Sequence, residues 1–496
     1  MKKIEFKKLI DEFIYDELTK DEYKVYSINS SELITWNRLD LAFKLFYLDH
    51  KMVNPPLAKM VYKEDIKAQT LGKYLEFGKE VSKNSFYRYL SDFEAIFDSI
   101  KKNGFDETET LIPLSKNRSA INGAHRVSVA INLKQQVVCL LTESEDMVAD
   151  YKYFYERAVP KIIIEMAVKK FIEYSNDNTY IAFLWSSGKG SKQEAESKFR
   201  NIVYKKQLQL TPNGAFNLLL ELYKHMDWVG SASEGFKGIR KKLFECFPDF
   251  KSFTVIVFQE KSIENVRDIK EEVRKIYGIG YSSIHITDTK EEANRISNLI
   301  FNDNGVHFLN YSNPYKYKNI FSKLDAFKSF LEINHVDTRD VIIDGSLTLT
   351  LYGLRENEDV DYLILDNSKI RCLDCSFENH DSELIHHKKN KADLIYDEAN
   401  YFSFYGLKFI SFQQLYAMKQ HRSEDKDLID CELMSSLIQN NKFKEVKSKI
   451  KQHIFFFKIK LKVGFVKHVL CWLKATGLYV PTRWVYRKIK YNIKEN

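Results

Sequence analysis

Between positions 341 and 365 two apolar runs, VIID and YLIL, are joined by Gly345-Ser346, the stretch LTLTLYGL and Asp359-Val360-Asp361. Short apolar runs bounded by glycine and polar residues read as strands, and LTLTLYGL reads as a helix between them. Residues two apart on a strand point to one side, so Asp359 and Asp361 share a face. Carboxylates held that close repel each other unless a cation lies between them, and Mg²⁺ favours carboxylate and phosphate oxygens. Gly345 and Ser346, ahead of a helix, offer free backbone N–H groups and a hydroxyl to a triphosphate. The constellation predicts metal-dependent phosphoryl or nucleotidyl transfer that works by positioning and charge neutralisation.

This stretch resembles the polymerase-beta-like nucleotidyltransferase superfamily, in which Gly-Ser, an intervening helix and Asp-x-Asp on the next strand follow in that order. The resemblance covers roughly residues 335–440. It implies Asp359 and Asp361 as catalytic metal ligands, Mg²⁺ as cofactor, and ATP or CTP as nucleotide substrate. It also implies a third carboxylate on a later strand, for which Asp393 in KADLIYD is the candidate, with Asp381 and Asp397 behind it. Downstream, GLKFISFQQLYAMKQHRSEDKDLIDCELM looks like the helical portion of small nucleotidyltransferases. There Lys426, Asp427 and Asp430 form a Lys-Asp-x-x-Asp pattern, preceded by Lys419 and Arg422. These bases are expected to meet phosphate oxygens, the alternative being a solvated helical face.

A second signal is Ile121-Asn122-Gly123-Ala124-His125-Arg126, placed after the apolar IPL at 112–114 and opening a helix. Gly123 permits a tight turn, and His125 and Arg126 at a helix N-terminus favour an anion, phosphate above all. The segment 100–143 resembles the ParB/sulfiredoxin-like fold, whose nucleotide-phosphate loop reads Gly-x-His-Arg after a strand. Ala124 stands where sulfiredoxins carry their nucleophilic cysteine, so that chemistry is absent. No DNA-binding helical module of the ParB type follows. The resemblance implies a nucleotide- or phosphate-binding domain, kinase-like as in the ParB-like serine kinases; buried structural His and Arg are the alternative.

A chain of 496 residues is too long for one hydrophobic core. The expected architecture is multidomain α/β and α+β. A ParB-like domain with a helical N-terminal extension fills 1–150, and an α/β domain of unknown role fills 151–318. A nucleotidyltransferase-like mixed-sheet domain with C-terminal helices fills 319–442, and a basic amphipathic tail 443–496. In the middle domain FTVIVF (253–258), SIHIT (283–287) and VHFLN (306–310) read as strands, and Asp288 or Thr289 with Glu291 and Glu292 as a helix start. His285 and Asp288 end a strand there and form a further candidate ligand site. Gly188-Lys-Gly-Ser-Lys lacks phosphate-loop spacing and reads as a loop. Cys372 and Cys375 with His380, His386 and His387 fit no standard zinc spacing.

The net charge of +8 conceals an asymmetry. Residues 444–496 hold 14 bases against two acids, whereas the remaining 62 bases face 66 acids. A basic nucleic-acid surface spread over the protein is thereby excluded, and nucleic acid is an unlikely partner. In the tail, bases alternate with Phe455, Phe456, Phe457, Leu461, Phe465, Trp472 and Trp484, a composition suited to an anionic membrane surface or to a terminal helical pair. Six scattered cysteines and the lack of any apolar run near 20 residues point to a cytoplasmic protein, peripheral to the inner membrane if the tail binds lipid.

The expected function is Mg²⁺-dependent transfer of a nucleotidyl or phosphoryl group from a nucleoside triphosphate to a small acceptor. Chains of this kind resemble proteins of bacterial capsule and lipopolysaccharide gene clusters, which implies a sugar-phosphate acceptor. Two rivals stand beside it: a non-catalytic nucleotide sensor, and a ParB-like DNA-associated protein.

Overall fold

The computed structural model describes residues 2–75, 83–371, 376–439 and, beyond them, 446–447, 450, 454, 461, 465, 468–469 and 471–476. The cysteines 372 and 375 lie outside the described residues, as does most of the basic tail. The chain is mixed α/β with three open sheets. It divides into two compact units, Met1–Ile385 with Lys389–Gln414 and His386–Lys388 with Leu415–Asn496. All three sheets belong to the first unit.

The first sheet is built from β1 (Val25–Asn29), β2 (Ile112–Leu114) and β3 (Gln136–Leu141) in the order β1-β3-β2, with β2 parallel to β3. The parallel pair needs a crossover, which the helix Ala124–Asn132 supplies. Helices Asp40–His50, Pro55–Gln69 and Phe86–Asn103 precede it. Asn54-Pro55-Pro56 is the break between the first two of them. Asn54 Oδ1 accepts from Leu57 N (3.3 Å), and the prolines occupy the first turn, where their missing N–H groups cost nothing. RSAING forms only an isolated bridge, Ala120 to Leu114, because Gly123 turns the chain into the helix immediately afterwards.

The second sheet, β4 (Thr179–Leu184), β5 (Ile202–Leu208), β6 (Phe253–Gln259) and β7 (Ile284–Ile286), is antiparallel throughout in the order β5-β6-β4-β7. Every residue of β4 and β6 is buried, as their unbroken apolar runs require. The helix Ile263–Tyr277 lays Val266 and Val273 on Ile256, Phe258 and Ile286. Thr289 caps the next helix, Lys290–Ile300: its hydroxyl accepts from Glu292 N (3.1 Å) while Glu292 Oε2 accepts from Asp288 N (2.8 Å).

VHFLN is helical, within Asp303–Tyr311, and not a strand. Asn302 Oδ1 accepts from Asn304 N (2.8 Å) and Gly305 N (3.2 Å), a cap that commits the following residues to a helix. Five apolar-rich residues carry too little periodicity to outweigh that cap.

The third sheet holds β8 (Val341–Asp344), β9 (Val360–Ile364), β10 (Phe377–Asn379), β11 (Tyr401–Phe404) and β12 (Leu407–Ile410) in the order β10-β9-β8-β12-β11. β8 and β9 are antiparallel and central, β10 runs parallel to β9, and β12 runs parallel to β8.

Candidate active site

β8 ends in Asp344, which is fully buried, and the chain leaves it through Gly345 at φ +69°. After Ser346 and the short helix Leu347–Leu351 it returns as β9, placing Asp361 opposite Asp344 and Tyr362 opposite Ile343. Asp361 thus faces the Gly345 turn. A Cβ built on Gly345 would lie 2.3 Å from Asp361 Oδ2, so both the left-handed backbone and the approach of the carboxylate require glycine. Gly345→Ala is expected to cost about 1–2 kcal/mol in backbone conformation and to displace Asp361. The check is a lower unfolding midpoint in urea.

β10 brings Glu378 opposite Asp361 in parallel register. One carboxylate oxygen from each of Asp359, Asp361 and Glu378 lies within 4.8 Å of the others. Oxygens around a Mg²⁺ with ~2.1 Å bonds stand about 3 Å apart when adjacent and 4 Å apart when opposed, so modest side-chain rotation suffices to converge on one ion. All three donors are hard oxygens, and Asp359 and Glu378 are exposed to an approaching substrate. The residues present fit a divalent cation.

The local field agrees. Burial pushes the Asp361 carboxyl up to about 6, with Asp359, Asp344 and Glu378 adding to the rise and His380 opposing it. His380 Nδ1 donates to Asp344 Oδ2 (2.8 Å). Burial works against a charge on His380, but Asp344, then Asp361 and Glu383, outweigh it and raise the imidazole above its ordinary value. Beside Gly345, Arg355 Nη2 donates to Ser346 Oγ (2.6 Å), which sets a guanidinium at the proposed phosphate seat. Sequence reading missed both Arg355 and Glu378.

Asp393, the candidate third acid, is not part of the Asp359–Asp361–Glu378 group. Its carboxylate accepts from Asn54 Nδ2 (3.0 Å) and Asn390 Nδ2 (2.6 Å), and it sits in the first turn of the helix Lys391–Tyr396, which Asn390 caps. Asp381 Oδ2 accepts from Asn367 (2.6 Å) and pairs with Lys391 (2.7 Å), and Asp397 Oδ1 accepts from Ala399 N (3.0 Å). Neither joins the cluster.

Lys419, Arg422 and Lys426 belong to the second unit. Lys419 is 2% exposed and clamped between Asp427 (2.9 Å) and Asp430 (2.9 Å). Arg422 forks onto both oxygens of Asp427 through Nε (2.7 Å) and Nη2 (2.8 Å). Burial would raise the Asp427 carboxyl, yet Arg422 and Lys419 hold it at about 2. Lys419 and Arg422, expected to meet phosphate, are here paired with the acids of the same motif. Lys426 is exposed beside Glu424 (3.0 Å).

The NGAHR loop borders a cavity of about 510 Å³ lined by the bases Arg38, Lys44, Lys83 and Arg126, by the acids Asp11 and Asp40, and by Asn122 and His125. Gly123, at φ +82°, caps the helix Ala124–Asn132, and its Cβ would press on Ile112 (3.0 Å) and Arg126 (3.1 Å). Asn122 Nδ2 donates to Asp11. His125 Nε2 lies 2.7 Å from the Tyr62 hydroxyl, and its ring meets Phe93 edge-on at 4.8 Å. Burial, then Lys44, drives the imidazole well below its ordinary value, so His125 is neutral and the positive charge of this cavity comes from lysine and arginine. At the second sheet His285 Nε2 meets Glu292 Oε1 (3.2 Å) and Asp288 pairs with Lys270 (3.0 Å), both beside a cavity of about 530 Å³.

No family model, no curated protein and no solved structure matches the chain.

Proposed function

We propose that the third sheet carries a Mg²⁺-dependent nucleotidyl- or phosphoryl-transfer site acting on a small acceptor, a sugar phosphate of surface polysaccharide synthesis. The observation that carries this reading is the convergence of Asp361 on β9, Glu378 on the neighbouring β10 and Asp359 just before β9, beside the Gly345-Ser346 turn. Asp359, Asp361 and Glu378 would hold the ion, which when bound neutralises phosphate charge and polarises the reacting phosphoryl group. Ser346 and Arg355 would orient the phosphates of ATP or CTP, Arg355 as a fixed planar donor. In nucleotidyl transfer an acceptor oxygen attacks the α-phosphorus, that P–O bond forms, the bridge to the β-phosphate breaks and pyrophosphate leaves. A sugar-phosphate acceptor attacks through an anionic phosphate oxygen, so the step balances without a protein base.

The rival reading, a nucleotide sensor, is favoured by the cationic cavity at Arg126, which would hold phosphate with no neighbouring metal-type cluster among the described residues. Incubating the full chain with Mg²⁺, ATP or CTP and a panel of sugar phosphates, while following pyrophosphate and modified acceptor, separates the two. The transferase reading expects metal-dependent turnover. Nucleotide binding without any turnover across the panel overturns it and leaves the sensor.

A further inference from the structure

Within the first unit a cavity of about 660 Å³ lies among the helices Asp40–His50, Lys161–Tyr174 and Lys290–Ile300 and the β11–β12 edge of the third sheet. That volume is within the range of small-molecule sites, roughly 300–1,000 Å³. Five bases line it. Lys169 pairs with Glu398, Lys170 with Asp49 (2.6 Å) and Glu173 (2.7 Å), Arg295 with Glu221 (2.9 Å) and Arg339 with Asp337 (2.7 Å). The fifth, Lys408 on β12, forms no ion pair among the described residues. Its Nζ donates to the backbone carbonyls of Arg339 (2.7 Å) and Ile395 (2.8 Å), and the Tyr396 and Tyr401 rings flank it at 5.0 and 4.8 Å.

An ammonium carries three N–H donors, whereas a neutral amine carries two and a lone pair. The two carbonyls satisfy both donors of the neutral form and leave the pair for a reacting atom. Burial, then Lys170, pushes the amine down to about 7, with Arg339 adding to the fall and Asp340 and Glu398 opposing it. The side chain is only partly buried, so a ligand in the cavity has access to it. An amine kept neutral by burial and by neighbouring cations is the kind that condenses with carbonyl compounds.

The rest of the lining defines the ligand. The other four bases are matched by the acids beside them, which leaves little net charge to attract an ion. Asn294, Asn298, Thr338 and Ser403 also line the cavity, and their side chains make no hydrogen bond to the described residues. Uncharged donors and acceptors beside a nucleophilic amine suit a ligand rich in hydroxyls. We infer that Lys408 is the nucleophile of a carbonyl-binding site that holds a small polyhydroxy aldehyde as an imine. Nζ attacks the carbonyl carbon, the C–N bond forms, the carbonyl oxygen takes up protons and leaves as water, and a C=N bond remains that water can hydrolyse again. The site is separate from the transferase reading, since none of Asp359, Asp361 and Glu378 lines the cavity.

The test treats the full chain at pH 7 with glyceraldehyde and sodium cyanoborohydride, which reduces an imine to a stable secondary amine, and maps the modified lysines by peptide mass. At that pH an ordinary lysine is roughly 0.03% unprotonated, whereas an amine titrating at about 7 is half so. Lys408 is expected to be modified at least about tenfold faster than the median lysine, a floor well below the ~10³-fold ratio of unprotonated amine. Its rate should level off with glyceraldehyde concentration, as occupancy of a cavity requires, while surface lysines respond linearly. In Lys408→Met the fast modification should vanish with no other lysine taking its place. Should that variant fail to fold, the rate and its saturation in the parent decide alone. Modification of Lys408 no faster than the median, a rate there that stays linear, or a fast site that persists in Lys408→Met overturns the inference.

Discussion

Asp361→Asn is expected to abolish Mg²⁺-dependent pyrophosphate release, by ~10³-fold or more, while the metal-free protein becomes more stable at neutral pH. The two effects have one cause. Asp361 lies between Asp344 on β8 and Glu378 on β10, and its carboxyl is pushed up to about 6 by burial and by these neighbours. A carboxyl whose folded value exceeds its unfolded value near 3.8 favours the fold while protonated. Its contribution is full below about 4 and is lost as pH rises through about 6. Above that the ionised group opposes folding by an amount on the order of 2 kcal/mol, relieved only by a cation. In a chelator at pH 7.5 the Asn variant should therefore unfold at a higher midpoint than the parent, and near pH 4 the two should converge. Adding Mg²⁺ should stabilise the parent and not the variant. A variant that loses activity but is also less stable in chelator would mean that Asp361 is a structural acid, and the metal assignment would fail.

The other acids rank by their contacts. Glu378→Gln removes one of three ligands and should lower turnover less than Asp361→Asn. Asp393→Asn should leave it near the parent level, since that carboxylate is engaged with Asn54 and Asn390.

The difference between Glu378 and Asp393 also shows what the sequence made legible. Gly345, Ser346, Asp359 and Asp361 lie on one antiparallel hairpin-like excursion, where residue spacing fixes which side chains meet. Glu378 joins through parallel pairing of a three-residue strand, and parallel partners are set by the packing of the intervening chain, not by local spacing. An acid inside the apolar run KADLIYD looked better placed, yet the Asn390 cap makes that run a helix. In the second unit the motif Lys-Asp-x-x-Asp was visible, but not the direction of its acids. The helix Asp425–Ile438 sets Asp427 and Asp430 one turn apart on one face, and both turn onto Lys419. The charged residues Arg38, Asp40, Lys44 and Asp65 gave no signal at all, because isolated charges at helical spacing read as solvated surface.

Those four residues are nevertheless buried, Arg38 and Lys44 at 1% exposure and Asp40 and Asp65 at 0%. Arg38 forks onto Asp40 through Nε and Nη2, both at 2.8 Å, and Lys44 Nζ reaches Asp65 at 2.6 Å and Asp40 at 3.5 Å. Burial alone would raise the Asp40 carboxyl, but Arg38 and Lys44 hold it at about 2, so its contribution is present above about 4 and lost as pH falls toward 2. Asp65 goes the other way: burial raises it, Lys44 only partly offsets that, and Asp40 adds to the rise. Asp40→Asn is accordingly expected to destabilise the first unit by roughly 3–5 kcal/mol, the cost of leaving buried cations without their counter-charge. Asp65→Asn should cost less, because Lys44 keeps Asp40. Urea midpoints of the two variants measure the difference. Arg38 and Lys44 also line the cavity at His125 and Arg126, so an anion entering it meets charge that Asp40 no longer balances. Millimolar inorganic phosphate should then raise the midpoint of Asp40→Asn more than that of the parent. An equal response in both would mean that the NGAHR cavity does not take a phosphate beside these cations, and that its charges serve the fold alone.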